Sequence, residues 1–398
     1  MKIAGIICEC NPFHGGHEYL ISCARSAGAD VVVALMSGCF VQRGDAAIAD
    51  PMARAEILLL GGADVVLELP FPYAAAGAEF FAAAGVSILE RLGVTELWFG
   101  SECGDLPRLR FLAEAVDSPA FRERYAKTAA GNEGTAKAFF FCLQEICGDE
   151  APCRSNDILA ISYLRALKDQ GAGMRPVTVK RQGSDYRAEA LEAQGFPSAT
   201  ALRRCWLEEG LEAVLRYFPA GAEAVLTPCV AQGRAPATLS MAERLILGHL
   251  RTLSPSAAEG IAELSGGLGN RLVEAAHRAD SLEILLSLAE TKKYPRSRLR
   301  RGILFALTGT AREDLHTRPA YVRLLALGPR GRSFLSRCRR EGEIPVVTRR
   351  ADLPFTPEAA RQAAWEERAY GLYALCMPRI HPGDALWRQN PTIRGEES

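Results

Sequence analysis

An α/β fold, a doubly wound parallel sheet followed by a mainly helical C-terminal half, is what the 398-residue sequence predicts. Three observations carry that expectation. Short apolar runs alternate with segments of helical length through the first half, the pattern of strands joined by helical crossovers. The runs are continuous rather than alternating, which marks strands covered on both faces. Beyond about residue 200 the runs cease and helical periodicity takes over.

Taken in order, KIAGIIC, VVVALM (31–36), DVVLEL (64–69), ELWFG (96–100) and PVTVK (176–180) read as strands buried on both faces. Between them HGGHEYLISCARSAGA, ADPMARAEILLLGG, AGAEFFAAAGVSILERLG and SNDILAISYLRALKDQ read as helices. Right-handed crossovers of this kind bind ligands beyond the carboxyl ends of the strands, where the strand order reverses. Later, RCWLEEGLEAVLRYF, SMAERLILGHLRTL, AAEGIAELSGG, GNRLVEAAHRADSLEILLSLAE and RSRLRRGILFAL read as helices, and EIPVVTRR (343–350) as one candidate strand. The tail LWRQNPTIRGEES is polar and expected to fray. Two domains follow, 1–200 and 201–398, with a soft boundary near 198–205.

Composition narrows the partners. The chain is 48% hydrophobic and 24% charged, as ordinary globular proteins are, and its formal net charge is zero. That zero hides an asymmetry: residues 1–150 hold 11 basic and 20 acidic side chains, residues 291–350 hold 16 and 4. A basic block on a neutral chain points to a polyanion met at one surface. Arginines number 40 and lysines 7, a bias that by itself decides little. The twelve cysteines form no CxxC pair, so neither a disulfide framework nor a zinc ribbon is expected. The opening apolar run is too short for a signal peptide, and no later run approaches the roughly 18 residues of a membrane span. A cytoplasmic protein with no membrane association and no stable protein partner is the expectation.

The chemistry concentrates in Asn11-Pro12-Phe13-His14-Gly15-Gly16-His17, which leaves the first strand and opens the first helix. Glycines let backbone amides approach a ligand, and a helix N-terminus favours anions. Two histidines three apart, on one face of the first turn, can each donate to a phosphate oxygen. A Pro/Gly turn with histidines of local structural use is the plain alternative. Zinc fits poorly, because two histidines lack a third ligand at metal spacing.

A strand followed by N-P-F-H-x-G-H resembles the HxGH nucleotidyltransferase superfamily, whose members activate substrates as adenylates. Over about 300 residues the chain further resembles the tRNA(Met) cytidine acetate ligase family. MSGCFVQRGDAAIADPMARAE (36–56), GADVVLELPFPYAAAGAEFFAAAGV (62–86), LWFGSE (97–102), SNDILAISYL (155–164), VKRQGSDY (179–186), SATALRR (198–204) and TKKYPRSRLRR (291–301) carry that resemblance in the family's order. Cys10 stands where the family has an aromatic residue, and Cys8 is also unusual; both flank the adenine side of the loop.

The resemblance implies a Rossmann-like, ATP-binding catalytic domain over 1–200 and a tRNA-binding domain over 201–398. Ile7, Cys8, Glu9, Cys10, Asn11, Pro12, Phe13, His14, Gly15, Gly16, His17, Glu18, Tyr19 and Leu20 would form the ATP loop, with His14 and His17 catalytic. Gly100, Asn156 and Arg181 would complete the nucleotide contacts, although a turn glycine, an N-cap and a surface charge explain them separately. Ser198 or Thr200 would cap a helix facing the β- and γ-phosphates, and Arg203 would pair with them. ATP would arrive as its magnesium complex, with no protein metal ligand named. Acetate would become acetyl-adenylate, and the wobble cytidine amine of elongator tRNA(Met) would then take the acetyl group. Lys292, Lys293, Arg296, Arg298, Arg300 and Arg301 would hold the tRNA; the plain alternative is a solvated helix face, which few neighbouring acids support. Two other functions remain open, a metabolite adenylyltransferase and a non-catalytic RNA-binding protein.

Overall fold

Apolar runs and strong caps set the element borders in the computed structural model, which describes residues 1–129, 135–148, 155–181 and 196–395. The first half runs β1 (Ile3–Cys8), α1 (Gly15–Ser26), β2 (Val31–Ser37), α2 (Pro51–Leu60), β3 (Val65–Leu69), α3 (Ala78–Arg91) and β4 (Glu96–Ser101). It continues with α4 (Leu106–Asp117), α5 (Pro119–Ala129), α6 (Thr135–Cys147), α7 (Ser155–Asp169) and β5 (Arg175–Lys180). All five expected strands form. The stretch holding α4 to α6 carried no expectation.

These strands are parallel, in the order β5-β4-β1-β2-β3. The order reverses between β1 and β4, so the residues leaving those two strands flank the switch point. Side chains alternate cleanly across the sheet: Ile3, Ile7, Val31, Val33 and Leu35 enter one apolar cluster, and Ala4, Ile6, Val32, Ala34 and Met36 the other. Each such Val, Leu or Ile, fully buried, contributes about 1.5–3 kcal/mol. β5 departs from expectation. It is the sheet edge, with exposed ends and half-buried middle residues, rather than a strand covered on both faces.

The second half supplies α8 (Ala199–Glu209), α9 (Ala222–Ala231), α10 (Glu243–Thr252), α11 (Pro255–Glu259), α12 (Leu268–Arg278), α13 (Leu282–Ala289) and α14 (Arg296–Thr308). Then follow β6 (Val322–Leu327), α15 (Gly331–Glu341), β7 (Val346–Val347), α16 (Pro357–Leu375) and β8 (Thr392–Ile393). The span expected as one helix over 269–290 is two, because Ser281 turns extended and its hydroxyl accepts the Ile284 amide at 3.3 Å, starting α13 afresh. In AAEGIAELSGG, helix stops at Glu259. The tail does not fray through Ile393: β8 pairs Thr392 with Ala326.

β6 is the main surprise. It lies antiparallel to β3, from Val65 opposite Leu327 to Glu68 opposite Arg323, so the last third of the chain extends the first sheet. A buried ion pair makes this tolerable: Arg323 Nε donates to Glu68 at 2.6 Å, and its Nη1 donates to the Leu386 carbonyl at 2.8 Å. The helical half has its own apolar cluster, built on α10, α12, α13, α14 and α16, and Phe40 and Phe71 join it from the ends of β2 and β3. Of VKRQGSDY, Gln182 to Tyr186 lie outside the described residues, as does Cys153.

Candidate active site

One buried arginine holds the strand ends in shape. Arg54 stands in the mostly apolar α2, 2% exposed, and reaches under the loops after β1 and β2. Its Nε donates to the Ala49 carbonyl at 2.9 Å, Nη1 to Glu9 at 2.9 Å, and Nη2 to Ser37 at 3.0 Å and to Gly38. Carbonyls that no strand partner can reach are thus satisfied from below. The lone basic residue inside PMARAEILLL was the signal for this role.

The loop above it is set by its own histidines. His14 is the N-cap of α1; its Nδ1 accepts the Gly16 amide at 3.0 Å, and the His14 amide donates to His17 Nδ1 at 3.3 Å. Both Nδ1 atoms therefore spend their lone pairs on the backbone. A neutral ring so held carries its proton on Nε2 and is a donor there. The two rings lie 4.1 Å apart between centroids. Phe13, buried, backs His17 at 5.5 Å, so it props the loop rather than lining the cleft. Gly15 is needed for space: a Cβ would fall 2.3 Å from the Phe196 ring.

One cleft collects nearly all the expected residues. Ile7, Cys8, Glu9, Cys10, Asn11, His14, Gly16, His17, Tyr19 and Leu20 line it, with Gly100, Asn156, Arg181, Ser198, Thr200 and Arg203. Pro12, Phe13, Gly15 and Glu18 do not. At Gly100 a Cβ would meet Arg181 Cγ at 3.4 Å and the Val179 carbonyl oxygen at 3.9 Å, both ordinary contacts, so the protein itself leaves room there. Asn156 sits in the first turn of α7, its Nδ2 donating to Glu102 Oε1 at 2.6 Å; the Glu102 and Asp157 backbone amides each donate to the other's carboxylate at 2.9 Å, which latches α7 to the end of β4. Ser198, not Thr200, caps α8, accepting the Ala201 amide at 3.1 Å. One turn on, Arg203 donates to the Asn11 carbonyl at 2.6 Å and to Thr200 Oγ1 at 3.2 Å, tying that helix to the loop. Sequence reasoning gave no role to Gln42, Arg43, Phe99, Tyr163 or Phe196, which also line the cleft.

Electrostatics follow from this enclosure. Burial, then His17, Arg181 and Arg203, hold the His14 pKa well below its usual value; burial and Arg181 bring His17 to about 4. Both rings are neutral at pH 7. Burial raises the Cys8 thiol and takes Cys10 to about 12, so neither supplies a thiolate. Four polar atoms on the cleft wall, Glu9 Oε1, Asn11 Nδ2, Gln42 Nε2 and Tyr163 Oη, are buried without a protein partner. Such atoms are rare in folded chains and mark places where a ligand completes the bonding. Among the described residues no group of three or more His, Cys, Asp or Glu side chains could hold a metal ion, and no helix is long and apolar enough to cross a membrane.

The basic run beside the cleft is less free than its sequence suggests. Acids outside the run reach it: Arg296 pairs with Glu283 at 2.6 Å and Glu290 at 2.8 Å, and Arg298 and Arg301 meet Glu263 at 3.4 and 2.8 Å. Arg300 pairs with Asp45 at 2.8 Å. Lys293 lies 5.4 Å over the Tyr294 ring, and Lys292 stands exposed. The turn at Gly44 touches α14 directly. Its φ is +73°, and a Cβ there would fall 2.5 Å from the Arg301 nitrogen. Gln42 and Arg43, just before it, line the cleft, so one turn contacts both the cleft and the basic helix.

Imidazole donors and arginines converging at the switch point of a parallel sheet suit a nucleotide polyphosphate, and fold and site together define a nucleotidyltransferase-like α/β protein. Family comparison agrees, residues 1–385 matching the HIGH Nucleotidyl Transferase model. The chain belongs to that family and, within it, to the tRNA(Met) cytidine acetate ligases. It is 35% identical over 385 residues to the tRNA(Met) cytidine acetate ligase of Caldanaerobacter subterraneus subsp. tengcongensis, covering 94% of this chain and 95% of that one. With the ligase of Caldicellulosiruptor saccharolyticus it shares 34% identity over 388 residues, 96% of each chain. Among solved structures it superposes on apo Thermotoga maritima TmcAL with a TM-score of 0.91, and on the form bound with alpha-thio ATP with 0.89. Both are 29% identical and cover 99% of each chain.

Proposed function

We propose that this chain is an ATP-dependent ligase that activates acetate as acetyl-adenylate and then acetylates the wobble cytidine of elongator tRNA(Met). The observation that carries the reading is the pair of histidines whose Nδ1 atoms are committed to backbone amides, leaving two Nε2–H donors in a cleft that Arg181 and Arg203 also line. ATP would lie with its phosphates against these donors and the capped start of α8. Acetate oxygen attacks the α-phosphorus and pyrophosphate departs; fixed donors stabilise the charge that grows on the phosphate oxygens, and alignment supplies much of the rest. Neutral histidines suit this role, since they move no proton. The described residues offer no carboxylate cluster for magnesium, so the ion would come held by the ATP phosphates, where it would neutralise charge.

The acceptor would approach over α14. The turn carrying Gln42, Arg43 and Gly44 brings that helix beside the cleft, within reach of a splayed anticodon base. Because four of its arginines have acidic partners in the chain, Lys292 and Lys293 are the side chains we assign most directly to tRNA phosphates. Catalysis belongs to residues 1–200 with Arg203 from α8, and tRNA binding to the remainder of 201–398, in this reading. A cytoplasmic location fits the described cysteines, none of which is paired.

The test is to incubate the protein with ATP, labelled acetate and total tRNA, digest the tRNA and locate the label. Label on one anticodon cytidine of tRNA(Met) is expected. Acetyl-adenylate without labelled tRNA would move the acceptor elsewhere, and neither product would overturn the ligase reading.

A further inference from the structure

The second half-reaction sheds a proton. When the cytidine amine attacks the acetyl carbonyl, a C–N bond forms, the C–O bond to AMP breaks with its electron pair leaving on the phosphate, and the amine nitrogen must lose one hydrogen. Something has to take it.

The cleft answers by elimination. His14 and His17 cannot accept, because their Nδ1 lone pairs already hold backbone amides and their Nε2 atoms carry hydrogen. The arginines and the Lys180 ammonium offer only donors. Cys8 and Cys10 are held as thiols by burial, and Tyr19 and Tyr163 as phenols, Tyr19 by its bond to Cys23 and Tyr163 by burial. One carboxylate remains. Among the described residues Glu9 is the sole Asp or Glu lining the cleft, and its Oε1 is buried with no protein partner. It leaves β1 on the same wall as Arg43, the residue before the turn that touches α14.

Resting on the ligase reading above, we propose that Glu9 is the catalytic base that takes the amine proton of the acceptor cytidine. Its surroundings suit the task. Burial raises the Glu9 pKa, while Arg43 from the turn after β2 and Arg203 from α8 oppose that rise. The Gln42 amide also lowers it and Asp45 raises it; Cys8 and Tyr163 are its uncharged neighbours. A base raised toward the working pH both exists in the ionised form and accepts a proton readily. The protonated carboxyl would release its proton to solvent as AMP leaves.

Glu9→Gln keeps the shape and removes the base. Acetate-dependent ATP–pyrophosphate exchange reads the first step, and single-turnover transfer from enzyme-bound labelled acetyl-adenylate to tRNA(Met) reads the second, both from pH 5.5 to 8. Transfer should fall at least about 100-fold further than exchange. Wild-type transfer should decline as pH drops through the Glu9 pKa, and that decline should vanish in Glu9→Gln. Glu9→Asp should recover part of the transfer rate and restore the acid limb. Equal losses in both steps, or an acid limb that survives in Glu9→Gln, would overturn the assignment. Wild-type protein without acetate-dependent exchange would instead remove the ligase reading, and the base with it.

Discussion

The cleft and the basic helix satisfy their polar groups in opposite ways. On the cleft wall, Glu9 Oε1, Asn11 Nδ2 and Gln42 Nε2 are buried and find no partner in the chain. Along α14, four arginines that look free in sequence are claimed by Glu263, Asp45, Glu283 and Glu290, although Arg300 Nε is itself buried without a hydrogen-bond partner. A site keeps polar atoms unmet because its ligand meets them; a scaffold meets them itself. Positive charge in a sequence is therefore a weaker guide to binding than an unmet polar atom in a fold.

The strongest way to break this contrast is to remove the cleft's donors. His14→Asn with His17→Asn leaves an oxygen able to replace each Nδ1 but no Nε2–H; acetate-dependent pyrophosphate exchange should fall at least about 1000-fold while tRNA affinity holds. Comparable exchange would mean that the histidines are caps only. Next is Arg54→Met, which strands several buried carbonyls and should cost about 3 kcal/mol, read as a lower denaturant midpoint. In the turn before that helix, Lys292→Ala with Lys293→Ala should weaken tRNA binding about 10-fold near 0.1 M salt and flatten its salt dependence by one to two phosphate contacts. Arg301→Ala should act instead on stability, by about 1 kcal/mol, since it breaks a half-buried pair with Glu263. If Arg301→Ala alters tRNA affinity more than stability, the paired arginines are RNA ligands after all.

A further contrast is with pH. His17 titrates near 4 in the folded chain, well below its unfolded value. Between those values the unfolded chain binds the extra proton, so stability rises with pH there and is lost as pH falls below about 6.5. His17→Asn should shallow that acid slope in unfolding curves taken from pH 4.5 to 7.

Much of the site was legible because its residues sit at strand exits, where motif and topology coincide. HxGH was found that way; Gly100, Asn156, Arg181 and SATALRR came with the family resemblance, and their places beside strand ends agree with it. Arg54 and the Glu102–Asp157 latch went unread, since their work is on backbone groups that a sequence does not display. β1 to β5 were legible as continuous apolar runs. β6 was not: Arg323 interrupts VRLLAL, and only the distant Glu68 explains why a charge can stand inside a buried strand. The acidic partners of α14 went unread in part for the same reason, Asp45 and Glu263 lying far along the chain.

β6 also bears on how the protein is made. Until Leu327 has left the ribosome, β3 is an open border with unpaired amides and carbonyls facing outward, the kind of edge that recruits foreign strands. A nascent or truncated chain ending near residue 200 would carry a complete set of nucleotide-loop residues on an unfinished sheet. Such a fragment should be sticky and slow to mature, and the long wait between the two halves of that ladder makes synthesis of the full chain the step that seals it.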